Sequence, residues 1–157
     1  MKKYELTDDT ITVGGRILHR IKALKSFSDV EEGDLGGYVE KEDNLDHSGE
    51  AWVSGNAWVY GNARVYGNAR VSGDARVSGD ARVSGENDYA AAKGFGREYR
   101  TTTFFRLQDG GIGVRCGCFC GTLEEFREKV KETHKESKMG KEYLMLADLM
   151  EYKFKNA

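Results

Sequence analysis

Every sixth residue through the middle of this chain carries a side chain able to hold an anion or stack on a ring. Trp52, Trp58, Arg64, Arg70, Arg76 and Arg82 recur at that spacing, and Tyr60 and Tyr66 stand two places after Trp58 and Arg64. A guanidinium offers a planar fork of N–H donors to phosphate or carboxylate, and an indole or phenol face stacks on a base or on a cation. The set therefore has the chemistry of a binding surface for a phosphorylated ligand or a protein partner. It contains no nucleophile paired with a base. So much aromatic surface is also too apolar to leave in water. Burial under neighbouring parts of the chain, or against other subunits, is the second open reading.

Other residues invite chemistry and have plainer explanations. Asn56, Asn62, Asn68, Asp74 and Asp80 each follow a glycine. They read as corner residues, since one side chain per corner supplies too few converging oxygens for calcium. Cys116, Cys118 and Cys120 alternate, so on a strand they would share a face with Ile112 and Val114 as small buried side chains. Zinc sites use C-x2-C spacings and a fourth ligand, neither of which is evident. Lys93, Arg97, Arg100 and Arg106 read as a solvated basic edge. Gly94-Phe95-Gly96 lacks the lysine and the strand–helix context of a phosphate loop. No metal and no cofactor is expected.

The elements that must position these groups follow from the period. GNARVYGNARVSGDARVSGDARVSG, Gly61 to Gly85, repeats a six-residue phrase: valine at 53, 59, 65, 71, 77 and 83, alanine at 51, 57, 63, 69, 75 and 81, and a glycine at every corner. A helix of 3.6 residues per turn cannot keep that period, and six residues are too few for two strands and two turns. Short strands joined by corners and wound into a parallel coil fit. Valine and alanine point inward, Gly-Asn or Gly-Asp takes the positive φ angles, and arginine, serine and tyrosine point outward.

The phrase V-x-G-[ND]-A-x resembles the hexapeptide repeat of left-handed β-helices, in which three hexads make one triangular coil. The resemblance implies that residues 18 apart stack vertically: Trp52 with Arg70, Trp58 with Arg76, Arg64 with Arg82. A frayed approach continues upstream, with Leu35, Val39, Leu45 and Ala51 in the inward register and Lys41 and His47 at two valine positions. About three coils are expected. Hexapeptide β-helices include acyltransferases, usually trimers, that use a histidine base and coenzyme A. Of His19, His47 and His134, only His47, beside Asp46, stands where such a base could act, and the clean repeat has neither a histidine nor a loop insertion. GDLGGYVEKEDNL, the repeat itself and the later CGCF-x-GT-LEEF together resemble uncharacterised proteins carried by phages and prophages, across nearly the whole chain.

The flanks read as caps for the coil. YELTDDTITVGGRILHRIKAL alternates apolar and polar residues, broken at Thr7-Asp8-Asp9 and Gly14-Gly15, and predicts antiparallel strands. REYRTTTFFRL and IGVRCGCF flank Asp109-Gly110-Gly111 as a hairpin. Thr122 to Glu125 forms a capping box opening a helix with Leu123, Phe126 and Val130 on one face. A second helix near Gly140 carries Tyr143, Leu146, Ala147, Met150 and Phe154.

The expected organisation is thus an N-terminal β cap (1–34), a left-handed β-helix (35–86) and a C-terminal ββαα unit (87–157), in a mainly β chain. A net charge of −2 over 157 residues argues against a nucleic-acid polymer or an anionic membrane as partner. The Met-Lys-Lys start lacks a following apolar segment, and three closely spaced cysteines fit a reducing compartment, so a cytoplasmic location is expected. The functional expectation is a non-catalytic, homotrimeric binding protein of phage type. It would bind a host protein or a small phosphorylated ligand, with interference in host defence as its role. A hexapeptide-type acyltransferase using acetyl-coenzyme A through His47 is the alternative, and a virion structural protein a third class.

Overall fold

The computed structural model describes residues 2–155. It is mainly β, with two helices at the C-terminal end. Six two-residue strands form the repeat: β4 (Trp52–Val53), β5 (Trp58–Val59), β6 (Arg64–Val65), β7 (Arg70–Val71), β8 (Arg76–Val77) and β9 (Arg82–Val83). They pair in parallel as β4–β7, β5–β8 and β6–β9, always with the residue 18 positions on. The chain thus visits three ladders in fixed rotation. All six valines and all six alanines of the phrase are buried. A six-residue unit has no core of its own; it acquires one only from the copies above and below.

The corners explain the glycines. Gly55 has φ +62°, and a Cβ there would lie 3.2 Å from the backbone of Gly73 in the next layer. Asn44 closes a corner differently, from a buried position: its Nδ2 donates to the carbonyls of Gly61 (3.2 Å) and Ala63 (2.9 Å), while its Oδ1 accepts from the amides of Glu40 and Lys41.

The frayed start differs from the expected register. Val39 pairs with Val59 and Leu45 with Val65, an offset of 20 rather than 18. Val39 and Leu45 therefore occupy the inward valine places, and Lys41 and His47 do not. Asp46 donates its amide to Val65 and Glu50 to Gly67. Three residues, His47 to Gly49, consequently span what Gly67 alone spans one layer on. This is a two-residue corner insertion. Leu35, expected inside, is 59% exposed.

At the N-terminal end, β1 (Tyr4–Val13) and β2 (Arg16–Ala23) form a hairpin turned by Gly14-Gly15, with its register broken between Leu6 and Thr10. β3 (Leu35–Val39) pairs antiparallel with β2 on one side and parallel with β5 on the other. One sheet, ordered β1-β2-β3-β5-β8, thereby joins the hairpin to a wall of the repeat.

At the other end, the expected single hairpin proves to be a four-stranded antiparallel sheet of β10 (Tyr89–Phe95), β11 (Arg100–Arg106), β12 (Ile112–Cys116) and β13 (Phe119–Thr122). Its side chains alternate. Phe104 faces the helices α1 (Leu123–His134) and α2 (Lys138–Lys155), whereas Phe105 enters the apolar interior of the repeat. Ala81 bridges to Leu107, and Gln108 donates its amide to the Asp80 carbonyl at 2.9 Å. The sheet thus covers backbone the last repeats would leave open. The capping box forms as expected, with the Thr122 hydroxyl accepting from the Glu125 amide and the Glu125 carboxylate accepting from the Thr122 amide.

Candidate functional site

The eight outward residues do not form one surface, because successive hexads turn to different ladders. Trp52 is only 4% exposed, packed edge-on against Phe27 (5.4 Å) and Tyr4 (6.4 Å). Tyr60, 8% exposed, lies with Leu18 and Tyr38. Both are covered by the N-terminal segment of the same chain, so neither lines an open ligand surface. Trp52 and Tyr60 are thereby withdrawn from any surface that other subunits could cover, while Tyr66 stays 38% exposed. Arg70 pairs with Asp29 at 3.1 Å. Arg64, Tyr66 and Arg82 line one cleft with His47; Trp58 and Arg76 line another.

His47 is a joint between the first strand and the start of the repeat. Its ring stacks on Tyr4, with centroids 4.2 Å apart and planes 13° from parallel. Nδ1 accepts from the Lys3 amide at 3.1 Å, which leaves Nε2 to donate to Glu42 at 2.9 Å. In the neutral ring the lone pair a general base would use is therefore already engaged. Beside it Lys3 is fully buried, donating to the Ala51 carbonyl at 2.6 Å, and burial pushes its pKa down to about 8.

The Trp58–Arg76 cleft is of another kind. It has a volume of about 560 Å3 and draws on all three parts of the chain. The hairpin tip supplies Thr12 and Val13, the repeat supplies Trp58, Asp74 and Arg76, and the C-terminal sheet supplies Lys93, Tyr99, Arg100, Thr101 and Arg115. The Arg76 guanidinium lies 3.7 Å from the centre of the Trp58 ring, and one of its nitrogens donates to the carbonyls of Asn56, Asp74 and Ala75. Burial lowers the pKa of Arg76, with the Arg115 charge adding to the effect. Lys93 reaches Asp74 at 3.2 Å, and Arg100 is held by Glu98. Arg115 is half-buried, and its side chain has no hydrogen-bond or ion-pair partner among the described residues. An unpaired cation facing another cation is costly where water is partly excluded, and a bound anion would relieve that cost.

Of the residues singled out in the sequence, this cleft unites Trp58 and Arg76 with Lys93 and Arg100, the latter two having been read as a mere basic edge. Arg106 is elsewhere, paired with Asp88 at 2.9 Å. Arg115 went unnoticed, though strand alternation carries the signal: Val114 faces the helices, so its neighbour must face the repeat. Tyr99 gives no such sign.

The cysteines differ from expectation. A turn at Gly117-Cys118 ends the strand at Cys116, so the three do not share a face; Cys118 and Cys120 are exposed. Cys116 accepts from the Thr102 hydroxyl at 3.2 Å. Among the described residues, no three His, Cys, Asp or Glu side chains are grouped to hold a metal ion. Nor is any helix long and apolar enough to cross a membrane.

No curated protein matches the chain. A family model does match part of the repeat: residues 58–73 and 63–77 are similar to the YdcK beta solenoid repeat.

Proposed function

We propose that this chain is a non-catalytic binding protein that holds a small phosphorylated ligand in the Trp58–Arg76 cleft. The observation that carries the reading is the half-buried, unpaired Arg115 beside Arg76. Four cationic side chains line the cleft against the single carboxylate of Asp74, and three segments of the chain converge on it. The repeat is read as a left-handed triangular coil, a finer assignment supported by the hexad phrase and the resemblance to hexapeptide-repeat proteins. The resemblance to phage-carried proteins supports a role in withdrawing a phosphorylated host compound or occupying a host protein. The homotrimer rests on resemblance alone.

The test is thermal unfolding with and without added inorganic pyrophosphate, a compact probe for the cationic pair. The wild-type midpoint should rise with pyrophosphate, and Arg115→Gln should remove the rise while leaving the ligand-free midpoint unchanged or higher, because a like-charge contact is relieved. A rise of equal size in Arg115→Gln would place the anion elsewhere and defeat the proposal.

A further inference from the structure

Resting on that reading, we infer that the ligand is a nucleoside monophosphate, with its phosphate between Arg76 and Arg115 and its base on the Tyr99 ring. Of the four cations lining the cleft, two already hold a carboxylate: Lys93 holds Asp74, and Arg100 holds Glu98. Arg76 and Arg115 are left without a carboxylate partner, and two positive charges match one phosphomonoester dianion. Further phosphates would meet cations that are already neutralised.

The remainder of the ligand is specified by what else lines the space. A volume of about 560 Å3 is far more than one phosphate fills and lies in the range of small-molecule sites. Tyr99 is 67% exposed and lies on this cleft, in a turn that holds its backbone at φ +53°. A bulky aromatic residue adopts that region at a cost, and such outliers cluster at ligand clamps. Its phenol face is a stacking platform for a planar ring, while one face of Trp58 is already taken by Arg76. Thr12 and Thr101 line the same cleft, and a threonine hydroxyl is a polar partner for a sugar.

Trp58 is the reporter. Trp52, the other tryptophan, is buried away from solvent, and Trp58→Phe identifies any signal from it. Fluorescence titration of the full chain should show at least one of the four common ribonucleoside 5′-monophosphates binding about fivefold or more tightly than ribose 5-phosphate, the lower bound of a base–aromatic stack. Tyr99→Ala should abolish that advantage without changing ribose 5-phosphate binding; Arg115→Gln should weaken both, and Arg115→Lys should restore part. Ribose 5-phosphate binding as tightly as every nucleotide, or a triphosphate outbinding its monophosphate, would overturn the nucleotide assignment while leaving the phosphate site intact. Failure of pyrophosphate, ribose 5-phosphate and all four nucleotides to bind would overturn both.

Discussion

Replacing one glycine by alanine at two different corners separates the conformational demand of the repeat from its stacking. Gly49 and Gly79 both have positive φ, +73° and +63°. Alanine at either pays the left-handed penalty, about 1 kcal/mol. Their surroundings differ. A Cβ on Gly79 meets nothing within 4 Å, whereas one on Gly49 would lie 2.7 Å from the Gly67 carbonyl oxygen of the next layer. That contact is with backbone, so the layers must part, and overpacking of this kind costs about 1–3 kcal/mol more. Gly79→Ala should therefore lose about 1 kcal/mol in urea unfolding and Gly49→Ala about 2–4 kcal/mol. In a domain of this size each kcal/mol lowers the midpoint temperature by about 2–4 °C, so scanning calorimetry separates the two. Equal losses would mean that the Gly49 corner does not rest on Gly67, and the stacked register of the first layers would be wrong.

Two further outcomes concern the ends of the repeat. Phe105→Ala should cost about 3–5 kcal/mol by emptying the plug that the C-terminal sheet inserts into the repeat, read as a drop in urea midpoint; a loss no larger than that of an exposed phenylalanine would show that the sheet does not cap it. Lys3 gives a pH signature. Its folded pKa of about 8 lies below the ordinary lysine value, so between pH 8 and about 10 the unfolded chain binds more protons and stability rises with pH. The rise ends as Tyr4 and Tyr143, whose folded pKa values burial pushes up, keep protons that the unfolded chain releases. Wild type should gain about 2 kcal/mol over Lys3→Met between pH 7.5 and 9.5, and parallel curves for the two proteins would refute a buried Lys3.

The repeat was legible in the sequence because its cause is local and periodic. A glycine needing positive φ, an alanine in a tight corner and an inward valine are demanded at every sixth position, and the 18-residue pairing of Trp58 with Arg76 follows once three hexads make a layer. The capping box at Thr122 was legible for the same reason, since its partners are three residues apart. The insertion at His47-Ser48 was not, because a shift from 18 to 20 appears only when Leu45 is seen against Val65. Nor was β10, whose Tyr-Ala-Ala-Ala-Lys-Gly-Phe has weak strand propensity and is held by pairing with β11. The sequence by itself determined a stacked, valine-lined repeat of parallel strands with an arginine beside most of its valines. Only the tertiary structure decided which of them meet. A hexad fixes where its own side chains point, but whether Trp52 is covered by Phe27, or Arg76 faces Arg115, depends on how segments 25 to 39 positions apart are brought together.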